Sequence, residues 1–233
     1  MSPAITSKIR LAAAVLAGLL LGATGLTACS GQDQGRSESP VAVVEANNGF
    51  NGTLIDPPLR PANVVLKDSH GTQFNLARLA PDKVTALFFG FTNCDDVCPT
   101  TMADLASARR SLPPSLAGKV TVLFVTVDPH RDTPPVLERW LGQFDPDFIG
   151  LRGPTDLIHQ AERSLYLPES GDASPAADHH TGGHHESSKH DSDYEVDHSG
   201  SVYVFGPGDR LVLYTGGTTP HEYTKDFARL LMT

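Results

Sequence analysis

Two apolar runs, "VTALFFGF" (84–91) and "KVTVLFVTV" (119–127), constrain this chain more than any other feature. Each is continuous rather than alternating, as expected of a strand covered on both faces. Between them Met102, Leu105, Ala106, Arg109 and Leu112 recur at helical spacing. Pro99 suits the first turn of that helix, and Pro113-Pro114 end it. Residues 84–127 therefore predict a β-α-β unit, whose strands should be parallel and whose crossover should be right-handed.

The flanking segments extend the same pattern. "NVVLKDSHGTQFNL" (63–76) predicts two short strands around a His-Gly turn. Pro134 and Pro135 open a helix carrying Val136, Leu137, Trp140, Leu141 and Phe144 on one face. "DFIGLRG" (147–153) predicts a short strand, and Thr155 a cap for a helix running to Tyr166. "SVYVFGPGDRLVLY" (201–214) predicts a hairpin, and Tyr223, Phe227, Leu230 and Leu231 mark a last helix. The fold class is α/β, with enough chain for one core over 53–233.

The chain's beginning points to its address. Lys8 and Arg10 precede an apolar stretch, Leu11 to Leu26, too short for a comfortable span. "LTAC", ending at Cys29, resembles a bacterial lipobox, which implies removal of residues 1–28 as a signal peptide and lipidation of Cys29. An uncleaved anchor with an incidental cysteine is the alternative. Either way the remainder is expected outside the cytoplasm, at the extracytoplasmic face of a bacterial cell membrane. Residues 29–52 are small and polar and read as a flexible tether. Loss of the leader removes two positive charges and no acid from a formal net charge of −9. Such acidity argues against nucleic acid as a partner and against electrostatic docking on anionic lipid.

One segment breaks the globular pattern. Residues 168–193 hold five histidines (His179, His180, His184, His185 and His190), six acids and no large apolar residue. They cannot build a core and are expected to form a disordered, His-rich loop. The bland reading is a solvated linker. The sharper one is a secondary, weak metal site, because imidazole is a borderline donor and nearby carboxylates favour cations.

With Cys29 committed to lipid, the remaining cysteines are Cys94 and Cys98 in "FFGFTNCDDVCPTTM". Four positions make one helical turn, which brings the α-carbons to about 6 Å, within disulfide range. The same spacing lets two thiolates reach one soft ion. A helix beginning near Pro99 should turn its positive end toward the sulfurs and lower their pKa. Redox pair, metal clamp and structural disulfide all remain open on this geometry. Copper(I) accepts two or three soft donors, whereas zinc usually takes four. His198, just before a strand in "EVDHSGSVYVF", is the best third donor, although a lone histidine is more often structural.

"GFTNCDDVCPTTM", "VTVDPHRDTPPVLERW" and "VDHSGSVYVFGPGDRLV" together resemble the Sco/SenC copper chaperones of cytochrome oxidase assembly, over roughly residues 53–232. The resemblance implies a thioredoxin-like fold with an extra N-terminal β-hairpin, to which this chain adds its His-rich loop. It implies copper held by Cys94, Cys98 and His198 and delivered to the binuclear copper centre of cytochrome c oxidase subunit II. Asp128 and Asp132 match positions near the site and are expected to shape it. Their alternative reading is an Asx turn and a helix cap. Asn93 and Asp95 stand where members often carry histidine and proline. A metallochaperone rather than an enzyme is therefore the leading expectation. The competing one is a thiol-disulfide oxidoreductase that reduces the cysteines of the oxidase copper site; a peroxidase fits less well. CxxxC spacing and a third ligand candidate favour copper.

Overall fold

The computed structural model describes residues 49–171 and 200–232, together with the backbone of Val43–Val44. Among the described residues nine strands form one sheet, in the order β1 (Val43–Val44), β2 (Thr53–Asp56), β9 (Arg210–Tyr214), β8 (Val202–Gly206), β5 (Val84–Gly90), β6 (Val120–Thr126), β7 (Ile149–Arg152), β3 (Val65–Asp68) and β4 (Gln73–Asn75). Its centre is the expected β-α-β unit: β5 (Val84–Gly90), α1 (Val97–Ser111) and β6 (Val120–Thr126). The strands run parallel, with Val84 opposite Val120 and Gly90 opposite Thr126. All of β5 is buried because each face meets its own core. Val84, Ala86 and Phe88 join the cluster beneath α1 and α5. Leu87 and Phe89 join the opposite cluster, which includes Ile158 and Ala161. The unbroken apolar run thus reflects two covered faces, not a loss of strand alternation.

The hairpin β8 (Val202–Gly206) and β9 (Arg210–Tyr214) continues the sheet beside β5, and α5 (Pro220–Met232) folds back over it. Gly208 and Asp209 take positive φ in the connecting turn, as a tight hairpin requires. This β-β-α unit joined to the β-α-β unit makes the fold thioredoxin-like α/β. On the other side, β7 (Ile149–Arg152) runs parallel to β6. The expected N-terminal hairpin, β3 (Val65–Asp68) and β4 (Gln73–Asn75), extends that edge by pairing with β7. A short α2 (Pro114–Ala117) links α1 to β6.

Two boundaries differ from the sequence reading. Helix α1 begins at Val97, two residues before Pro99. Proline is tolerated there because first-turn amides have no partner within the helix. Thr155 is the first residue of α4 (Thr155–Ser164) rather than its cap, a place taken by Pro154. Helix α3 (Pro134–Leu141) buries Leu137 and Leu141, while Trp140 and Phe144 form a half-buried aromatic stack with Phe124.

Ordered chain also starts before residue 53. Asn51, assigned above to the tether, donates its backbone and side-chain N–H groups to buried Asp226, at 2.8 and 2.9 Å. Gly52 N–H and the Tyr214 hydroxyl use the same carboxylate. Val43–Val44 (β1) pairs with β2 (Thr53–Asp56), which pairs with β9. β2 and Asn51 find their partners, β9 and Asp226, more than a hundred residues away, so local composition carried no sign of them. Likewise, at the start of the expected His-rich loop, Ser170 is buried and its N–H donates to Glu162.

Candidate metal centre

The cysteine pair lies where the chain turns from the end of β5 into α1. β5 finishes at Gly90, and Cys94 N–H donates to the Phe91 carbonyl at 3.3 Å. Helix α1 starts three residues after Cys94, with Asp96 at its cap position but making no side-chain capping bond. Cys98 N–H, in the uncapped first turn, instead points at Cys94 Sγ, 3.4 Å away. A sulfur therefore fills the role an N-cap oxygen usually plays. Cys94 is half-buried and Cys98 fully buried, and no disulfide joins them.

The electrostatics differ from the expectation of two lowered thiols. Burial pushes the Cys98 thiol up, the hydrogen bond with Cys94 adds to the rise, and a backbone hydrogen bond at Phe91 opposes it. Desolvation penalises a thiolate more than a few amide dipoles stabilise it. Gly90 makes the burial possible: a Cβ there would lie 2.7 Å from Cys98 Sγ.

Asp132 ties the cysteine loop to the end of β6. Its carboxylate is 1% exposed and accepts the Thr92 N–H at 3.1 Å and the hydroxyls of Thr92 and Thr126. Burial raises its pKa despite these bonds, and its charge adds to the rise at Cys98. It does not cap α3, whose cap residue is Thr133. Asp128 does form a local turn, accepting Arg131 N–H at 3.3 Å. Its other oxygen has no hydrogen-bond partner among the described residues and stands 3.9 Å from Arg131 Nε. Thr92, Thr126 and Gly90 were not singled out from sequence. The glycine ending a buried strand was the one legible sign, since glycine there often marks a close approach.

His198, the five loop histidines and Cys29 lie outside the described residues. The chain is picked up again at Gly200, where an added Cβ would come 3.1 Å from Val97 Cγ2, on the turn between the two cysteines. Val202 then pairs with Phe88. Among the described residues, no three His, Cys, Asp or Glu side chains are grouped to share a metal ion. Those present bring together two soft sulfur donors and one supporting carboxylate, a donor set suited to a soft ion rather than to calcium or magnesium.

Fold and site together define a thioredoxin-like domain with a CxxxC pair at the mouth of a helix. The SCO1/SenC family model matches residues 62–232, and the chain belongs to that family. Yeast mitochondrial SCO1 is 29% identical over 170 residues, 72% of this chain and 50% of the yeast protein. The chain spans about half the length of the sequence relatives it matches. Among solved structures, copper-bound ScoI of Bradyrhizobium japonicum superposes with a TM-score of 0.57 at 29% identity, covering 74% of this chain and 99% of that one. Apo Sco1 of Thermus thermophilus gives 0.57 at 32% identity, covering 80% and 96%.

Proposed function

We propose that this protein is a membrane-anchored, extracytoplasmic copper metallochaperone that passes copper to the binuclear centre of cytochrome c oxidase subunit II. Cys94, Cys98 and His198 would hold the cargo. The observation that carries this reading is the seating of Gly200 against Val97. It brings the chain, two residues after His198, onto the turn that holds both sulfurs. Two thiolates and an imidazole can accept copper in either oxidation state, and ligand exchange onto a partner's thiols releases it. Copper supplies no catalytic step here; the chain's own residues bind it and shield it. The membership in SCO1/SenC and the copper-bound relative support the choice of metal.

The CxxxC spacing and a third candidate donor, His198, favour this reading over a thiol-disulfide oxidoreductase. A metal can displace the proton from a buried thiol such as Cys98 as it binds. The test is anaerobic copper(I) titration of the reduced protein, with X-ray absorption to identify the donors. One copper per chain with two sulfurs and one nitrogen is expected. Absence of stoichiometric copper(I) binding, together with high turnover of a general disulfide substrate, would transfer the assignment to the enzyme.

Cys29 would carry the lipid anchor, and residues 29–42 would serve as the tether. We also assign the five histidines of the 172–193 segment a secondary role, collecting weakly held metal near the tighter site.

A further inference from the structure

A second feature, on the β3–β7 side of the sheet, is unrelated to the cysteines. Beyond Asp128, a cavity of about 600 Å³ opens between the β3–β4 turn and the starts of α3 and α4. Lys67, His130 and Arg152 line it. Lys67 and Arg152 are directly opposite each other in the antiparallel β3–β7 pair, so both project from the same face. Like charges in that relation destabilise a sheet. Their placement is more unusual because the chain as a whole carries a formal net charge of −9. A local electrostatic cost with no local gain is typical of a site with a ligand.

The surroundings do not neutralise the pair. The single lining carboxylate, Asp68, uses Oδ1 to accept the His70 and Thr72 N–H groups of its own turn, at 2.9 and 2.7 Å. Arg152 donates one Nη to the Pro129 carbonyl at 2.7 Å, which fixes the guanidinium. Its Nε is buried and has no hydrogen-bond partner among the described residues. An unpaired buried donor on a cation is costly, more so than on a neutral group. Helix α4 begins at the cavity wall with Thr155 and lacks a side-chain cap, and Asp156 in the same turn offsets part of the positive potential of its first amides.

We propose that this cavity is a binding site for a small oxyanion, a phosphate or a carboxylate, held chiefly by Lys67 and Arg152. Arg152 is fixed through one Nη and lines the cavity, while Lys67 is exposed and reaches the ligand from the rim. The inference does not depend on copper, since no cysteine takes part.

The test uses the full-length, ¹⁵N-labelled protein titrated separately with inorganic phosphate and with succinate at constant ionic strength. The amides of Gly153 and Thr155, at the cavity wall, report occupancy. Saturable shifts with phosphate identify a phosphate ligand, and with succinate a carboxylate; either outcome supports the site. Lys67→Ser changes an exposed side chain and should leave the fold intact. It should weaken binding about tenfold, the effect of one charge-assisted contact. Arg152→Gln should weaken it further. Linear, non-saturating shifts with both probes would overturn the proposal, as would an affinity unchanged in both variants.

Discussion

Each cysteine of the pair has a different task, set by its position on α1. Cys94 precedes the helix and receives the Cys98 amide, while Cys98 lies inside the first turn, buried against Gly90. One thiolate and one imidazole make a poor soft site, so Cys94→Ser and Cys98→Ser should each abolish tight copper(I) binding. His198→Ala should cost less for copper(I), which two sulfurs can hold, and more for copper(II); competition with a calibrated chelator measures both. Asp132 permits a separate prediction about stability. Asp132→Ala would strip acceptors from the half-buried Thr92 N–H and the buried Thr126 hydroxyl, at a cost of about 2 kcal/mol in urea unfolding. Its raised pKa gives the pH dependence a definite sign. The folded protein holds that proton more firmly than the unfolded chain does. The resulting stabilisation is present below the ordinary carboxylate value and is lost as pH rises through the raised one. The stability of the wild type minus that of Asp132→Asn should therefore fall with increasing pH across this range. A difference that rises instead would mean the hydrogen bonds outweigh burial.

At the scale of elements, the sequence was readable where periodicity and punctuation agree. β5, β6, α1, the β8–β9 hairpin and α5 all lie where apolar runs, prolines and glycines put them, because their cores are made mainly of their own residues. β2 and the latch of Asn51 on Asp226 were not readable, since a four-residue strand gains its identity from partners far along the chain. The cysteine pair was legible from spacing and from family resemblance. The brace from Asp132 to Thr92 was not, as it spans 40 residues. The rise at Cys98 escaped for a related reason: spacing reveals the helix end but not the burial. The base of the His-rich segment now has a structural boundary. Glu169 reaches Arg163, and Ser170 is held by Glu162. Removing residues 172–193 would spare that contact. Such a deletion should leave one tight copper site and eliminate additional weak copper(II), zinc or nickel equivalents at neutral pH. Below about pH 6.5 the two proteins should converge, because protonated imidazoles release metal. Equal total metal at neutral pH, measured by equilibrium dialysis, would reduce the segment to a linker.

At the scale of the whole molecule, strand register separates the place where the chain enters the sheet from the place where it carries its thiols. Val43 pairs with Asp56, and Leu54 leads across Val212 and Val204 to Ala86. The first strand therefore starts level with the beginning of β5. The cysteine loop follows the other end of β5, at Gly90. Six residues of strand separate those levels, about 20 Å at the usual rise. Under the proposed anchoring, a change at Cys29 is expected to act on tethering rather than on the cysteine pair. Cys29→Ala should shift the protein from the membrane to the soluble extracytoplasmic fraction and remove the lipid from its mass. Its copper(I) affinity should remain that of the parent. Copper loading of the oxidase should nevertheless drop, because a chaperone confined to the membrane meets a membrane-bound recipient at a higher effective concentration than one diffusing freely. Mass spectrometry, fractionation, chelator competition and oxidase copper content read the four quantities independently. A variant that stays on the membrane with unchanged mass would refute lipidation at Cys29. One that is released yet loads the oxidase normally would show that the anchor is dispensable for delivery.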